Sequence, residues 1–257
     1  MVEKAGIDRY EIFGWDYEQI NPLTLKEINW YLTWARKTGG PVLELACGTG
    51  RLLCQLAKRD LKCVGVDLSP AMLSMAQANK KRLPVEVREN ISFRKANILS
   101  LSLKRKYSTI IIADNSLSVL HDREQQKACL ENARNHLVNG GLLLISVSNQ
   151  GLKDDKKAMS WSKPLRNPID GKTVIRTVVI NNDPLKHVKH GEYKYKVIDS
   201  RGIARNYRFP FSNPSTSLSD YLTIFREIGF KPKVYGDFNL RKSVEKSKVL
   251  CFAACKI

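Results

Sequence analysis

The chain has no run approaching the roughly 20 apolar residues that a membrane span requires, so no spanning helix is expected. Cysteine is sparse and dispersed: Cys47, Cys54, Cys63, Cys129, Cys251 and Cys255 form no C-x-x-C pair. With only four histidines, no Cys/His grouping has zinc-ligand spacing, and no metal is expected. The thiols lie in apolar segments and read as buried and reduced, as in the cytoplasm. The opening MVEKAGIDRYEIFGWDYEQ carries acids where a secretion signal has a basic start and an apolar run, so cytoplasmic residence is expected. Acidic residues are also scarce, 25 against 43 Lys plus Arg, for a formal charge of +18. Residues 151–257 hold 22 bases and 10 acids, which leaves most of the excess there. Such a balance can steer nucleic acid. The bases nevertheless come in twos and threes (Lys80-Lys81-Arg82, Lys104-Arg105-Lys106) with no interleaved aromatic platform, which is how a lysine-rich solvated surface looks.

What is present is a globular composition, 43% hydrophobic and 26% charged over 257 residues, enough for a sizeable core. Apolar runs read as strands at Pro41 to Ala46, Cys63 to Asp67, Ile91 to Ala96, Tyr107 to Ala113 and Leu142 to Val147. Helical spacing fills Arg51 to Arg59, the stretch opened by Ser69-Pro70, and Asp122 to Leu137, with Asn139-Gly140-Gly141 as the break before the next strand. That order predicts an α/β, Rossmann-like, doubly wound sheet with right-handed crossovers. After Gly151 the texture changes. Lys153 to Lys157 is a polar run, and Asn167-Pro168, Asp170-Gly171, Asn182-Asp183-Pro184 and Arg201-Gly202 are turn signals. Thr173 to Ile180, Glu192 to Asp199 and Ala204 to Phe211 read as antiparallel strands. Ser217 to Gly229 reads as an amphipathic helix, and Lys233 to Phe238 and Lys248 to Cys255 as two final strands. The expected organisation is an N-terminal helical lid over residues 1–40, with two short amphipathic helices in 8–37. A core at 41–150, a β-rich cap insertion at 151–215 and a core-completing segment at 216–257 follow.

The most informative stretch is Val42-Leu-Glu-Leu-Ala-Cys-Gly-Thr-Gly-Arg51. A strand delivers Glu44, then a turn with Gly48 and Gly50 opens a helix whose first N–H groups are free for a ligand. Asp67 ends the next strand, 17 residues after Gly50, where a carboxylate can accept both hydroxyls of a ribose. A dinucleotide fingerprint fails, because Ala46 stands at its first glycine and Arg51 at its third. Glu44 would also repel a pyrophosphate, whereas it suits a ligand with a cationic amino group. The pattern points to a nucleoside joined to an amino acid.

Here the sequence resembles the class I S-adenosylmethionine-dependent methyltransferases. Glu44-Leu-Ala-Cys-Gly-Thr-Gly50 is similar to their first motif, and Val64-Gly-Val-Asp-Leu-Ser-Pro-Ala-Met72 to their second. Ala96-Asn97-Ile98 and the strand entry Leu137-Val-Asn-Gly-Gly-Leu-Leu-Leu-Ile145 continue the likeness over residues 41–148, and residues 8–18 match loosely. The resemblance implies a mostly parallel seven-stranded sheet with an antiparallel last strand, S-adenosylmethionine as cofactor and S-adenosylhomocysteine as product. It implies that Glu44 faces the methionine amino group and that Gly48 and Gly50 line methionine and ribose, with Ala46 and Arg51 in the same turn. Asp67 would hold the ribose diol, Leu68 and Met72 would pack on adenine, and Asn97 with Ile98 would flank the adenine amino group. Ala113 and Asp114 would lie beside the sulfonium, and Tyr10, with Trp15 and Tyr17, would supply an aromatic wall. No general base is legible; His121 is the weak candidate. The expected acceptor is a small molecule methylated on N or O. RNA or protein substrates held by the basic C-terminal region, or a non-catalytic scaffold, are the alternatives. No Asn/Asp-Pro-Pro-Tyr motif follows the fourth strand, where Asp114-Asn-Ser-Leu stands, which argues against DNA-base amino methylation. Nothing in the sequence sets an oligomeric state.

Overall fold

The computed structural model describes residues 2–4, 9–149, 157–167, 170–183 and 186–257. The chain begins with β1 (Val2–Lys4), α1 (Arg9–Phe13), α2 (Tyr17–Ile20) and α3 (Leu25–Thr38). It continues through β2 (Val42–Leu45), α4 (Arg51–Ala57), β3 (Cys63–Asp67), α5 (Pro70–Lys81), α6 (Val85–Arg88), β4 (Ile91–Lys95) and β5 (Tyr107–Ile112). Next come α7 (Arg123–His136), β6 (Leu137–Ser148), β7 (Lys157–Trp161), β8 (Leu165–Arg166), β9 (Thr173–Asp183), β10 (Val188–Ile198) and β11 (Ala204–Pro214). The chain closes with α8 (Leu218–Glu227), β12 (Phe230–Gly236) and β13 (Val249–Lys256). Among the described residues no helix is long and apolar enough to cross a membrane.

The chain divides into two compact units, residues 23–152 with 216–257, and residues 1–22 with 153–215. The larger unit is built on a seven-stranded sheet of order β12-β13-β6-β5-β2-β3-β4. Strands β4, β3, β2, β5 and β6 pair in parallel, and β13 runs antiparallel to both β6 and β12, as expected. The reason lies in strand period. Along β5, Ile110 and Ile112 join one buried cluster with Leu130 of α7 and Phe225 of α8. Ile111 points the other way, into a cluster with Tyr31 of α3 and Leu53 of α4. Helix layers cover both faces, so the strands carry apolar runs in place of alternation.

Two expectations need correction. Asn139-Gly140-Gly141 does not separate helix from strand: β6 starts at Leu137, directly after α7. Gly140, at φ 72°, lies where pairing jumps from Tyr107↔Leu137 to Thr109↔Leu142. The turn residues form a bulge within the strand. The segment 1–40 is also not one piece. α3 carries a capping box in which Thr24 accepts from Glu27 N, and it buries Trp30, Tyr31 and Ala35 in the larger unit. Residues 1–22 belong instead with residues 153–215, in the smaller unit.

The smaller unit, which includes the segment expected as a cap, is built on a second sheet, β1-β11-β10-β9-β7 with β8 also on β9. The hairpin strands are antiparallel, Tyr195 lying opposite Tyr207 and Arg176, and β1 adds parallel to β11. Alternation sorts its faces: Val174, Tyr195 and Phe209 gather around Phe13, whose ring stacks on Tyr195 at 3.7 Å, while Lys194, Lys196 and Arg208 are exposed. Strands β1 and β7 extend the three that the sequence indicates. Pro168, Pro184 and Lys153 to Lys156, parts of the expected turns and polar run, lie outside the described residues.

Candidate active site

The site is assembled where the sheet order turns back, at the carboxyl ends of β2, β3 and β5, the place where open α/β sheets hold ligands. The turn after β2 is left-handed at Ala46 (φ 56°), Gly48 (φ 54°) and Gly50 (φ 67°). Cys47 N donates to Val66 O at 3.0 Å and Gly50 N to Cys47 O at 2.9 Å, which closes the turn before α4. The two glycines have different reasons. A Cβ at Gly50 would overlap the Phe93 ring, so its need is internal packing. A Cβ at Gly48 would meet nothing within 4 Å, so this residue borders open space and leaves the backbone approachable.

Among the described residues, three carboxylates converge there around one guanidinium. Asp67, the last residue of β3, accepts from Gly48 N at 2.8 Å through Oδ2 and from Ser69 N at 2.9 Å through Oδ1. It thus ties the glycine turn to the start of α5, which Ser69 caps. Glu44 lies deeper, 3% exposed, and its Oε2 has no hydrogen-bond partner among the described residues. Burial pushes its pKa up to about 8; Arg51 opposes the rise, and Asp67 and Asp114 add to it. Arg51 Nη2 reaches Asp114 Oδ2 at 2.6 Å.

Asp114 is held by partners that the sequence does not reveal. Its backbone, left-handed at φ 49°, donates to Ser146 Oγ at 3.0 Å, and Tyr31 OH donates to the same oxygen at 2.8 Å. The next residue, Asn115, accepts from Ser148 N at 2.9 Å. Tyr31 and Ser146 lie 115 positions apart, and each reads as plain core in its own element. No local signal marks them.

The other expected residues are placed as follows. Leu68 is 60% exposed although apolar, as a platform for a flat apolar ring would be. Met72 is buried in α5, and Ile98 is half-buried against the core. Asn97 is exposed, its Oδ1 accepting from Leu99 N at 2.9 Å. Ala113 is half-buried at the end of β5. His121 is exposed just before α7, its backbone N donating to Gln125 Oε1 at 3.2 Å. Tyr10 belongs to the cap unit, under the Arg9 guanidinium at 4.3 Å and edge-on to Tyr17.

The donor set of the larger unit therefore fits a ligand bringing a cationic amino group to Glu44, a diol to Asp67 and an apolar ring to Leu68. Comparison with known proteins places the chain in a family. The family model described as "Methyltransferase domain" matches residues 36–199. A protein of Geobacillus sp. (strain WCH70), named as a methyltransferase, is 28% identical over 147 residues, 54% of this chain and 57% of that protein. The dTDP-3-amino-3,4,6-trideoxy-alpha-D-glucopyranose N,N-dimethyltransferase of Streptomyces venezuelae is 29% identical over 104 residues, 40% of each chain. The chain thus spans 57% or less of the length of these curated relatives. An amino pentose methyltransferase from Micromonospora echinaspora, solved with S-adenosylmethionine bound, superimposes with a TM-score of 0.73 at 19% identity, covering 100% of both chains. At that identity the likeness is one of fold.

Proposed function

Because the chain belongs to the methyltransferase-domain family of class I S-adenosylmethionine-dependent enzymes, we propose that it transfers a methyl group from S-adenosylmethionine to a nitrogen or oxygen of a small-molecule acceptor. The observation that carries this reading is the pair of carboxylates at the ends of adjacent strands: Glu44, buried with an unpartnered oxygen, and Asp67, fixed by two backbone N–H donors. Glu44 would hold the amino group and Asp67 the ribose, with Gly48 giving close backbone approach and Leu68 an adenine platform. The cofactor supplies an electrophilic methyl already activated by the sulfonium. The residues' share is alignment and exclusion of water, with reacting atoms held about 3–3.5 Å apart. Asp114, anchored on Ser146 and paired with Arg51, sets the charge beside the reacting end.

Two relatives, named for amino-sugar substrates, support an amine on a sugar-like molecule as the acceptor class. The test is a labelled-methyl transfer screen on cell extract split into small-molecule, RNA and protein fractions, run with Asp67→Ala as control. Label in the small-molecule fraction, lost in the variant together with cofactor affinity, is expected. Label confined to RNA or protein would overturn the acceptor class, and unchanged affinity in Asp67→Ala would overturn the site.

A further inference from the structure

We propose that Glu44 is a carboxylic acid in the ligand-free protein and hands its proton to solvent when the cofactor's ammonium arrives, so that S-adenosylmethionine binding releases a proton near neutral pH. The inference rests on the cofactor reading above and deepens it, and it starts from the charges in the crevice. Glu44, Asp67 and Asp114 gather about Arg51. Asp67 is compensated by two backbone donors and Asp114 by the guanidinium at 2.6 Å. Glu44 is the most buried of the three, and its Oε2 has no donor among the described residues. A buried, unpaired carboxylate is costly enough that the group neutralises instead, so the protonated state falls to Glu44.

The other groups that feel its charge do not compete for this role. Tyr31 of α3, Cys47 of the turn and Cys63 of β3 are all pushed upward by burial and stay protonated near neutrality. An ammonium brought against Glu44 supplies both the missing donor and the missing positive charge, which favours the carboxylate. The Glu44 O–H bond then breaks, its proton goes to buffer, and an N–H···O⁻ contact replaces it. The ligand's ammonium keeps its three hydrogens.

The test is isothermal titration of the full chain with S-adenosylmethionine and with S-adenosylhomocysteine, in phosphate and in Tris at one pH. The buffers differ in ionisation enthalpy, so the difference in heat counts protons. Close to one proton released per site at pH 7 is expected for both ligands, with affinity rising about tenfold per pH unit between pH 5.5 and 7. 5′-Methylthioadenosine, which keeps the nucleoside and lacks the amino acid, should bind without release. Glu44→Gln should bind more weakly and release none. Heats independent of buffer would overturn the inference and leave the cofactor reading standing, as would equal release by 5′-methylthioadenosine. Absence of binding by either amino-acid ligand would overturn both.

Discussion

At the scale of single residues, the turn after β2 separates two demands that the motif alone merges. Both glycines sit at positive φ, yet Gly50 is enclosed by Phe93 and Ala76, whereas Gly48 borders open space. Gly50→Ala should therefore damage the fold, combining left-handed strain of about 1–2 kcal/mol with overlap on a β4 ring. Gly48→Ala should cost only the strain and leave a folded protein whose cofactor affinity is reduced at least tenfold. Thermal unfolding and titration on the two variants check this; a reversed order would mean that the open side of the turn has been misassigned. Ala46, also left-handed at φ 56°, shows that the family's first glycine can be replaced where the strain is tolerated. Glu44 and Asp67 were legible in the sequence because each occupies the end of an apolar run followed by turn chemistry. That Glu44 Oε2 has no donor among the described residues was not, because it depends on what the neighbouring elements fail to supply.

At the scale of elements, the site depends on three segments meeting at Ser146. This β6 hydroxyl accepts from Tyr31 of α3 and from the backbone of Asp114 beyond β5. Ser146→Ala would leave the buried Tyr31 hydroxyl without its acceptor and take the acceptor from the part-buried Asp114 N–H, a loss of about 2 kcal/mol, and would release the loop that carries Asp114. Tyr31→Phe removes one donor and keeps the other bond, so it should cost about 1 kcal/mol and spare cofactor binding. Urea unfolding with titration distinguishes them; equal binding loss in both variants would show that Tyr31, not the Ser146 tether, governs the loop. The parallel strands and the cap hairpins were readable because apolar runs and alternation are local. β1 was not: three residues carry no period, and Val2 finds its place only by pairing with Asn206. The bulge in β6 was misread for a related reason, since Asn-Gly-Gly marks a turn without stating whether pairing resumes on the same strand.

At the scale of the whole molecule, each compact unit buries a carboxylate in its interior, and the two give the protein an unusual response to pH. Glu44 lies in the larger unit. Asp16 lies in the cap at 1% exposure, and burial raises it to about 6 against the opposing Arg176, Arg9 and Tyr195. Both folded values stand above those of the unfolded chain, 4.5 for the glutamate and 3.8 for the aspartate. The native protein therefore binds more protons than the unfolded chain, and the stabilisation is complete below about pH 4 and lost as pH rises through 6 and then 8. The carboxylates held low by partners, among them Glu192, Asp199 and Asp237, act in the opposite sense but below this window. Each titrating group contributes about 1.4 kcal/mol per pH unit within its range, so the melting temperature of the ligand-free protein should fall by several degrees between pH 5 and 8. A rising or flat profile would show that one or both acids are ionised in the native state at no cost. S-Adenosylmethionine should remove only the Glu44 part of this decline, because the ammonium compensates that carboxylate and leaves Asp16 as it was. The thermal shift produced by a saturating concentration should therefore grow from pH 5.5 to 7, and Glu44→Gln should make it independent of pH.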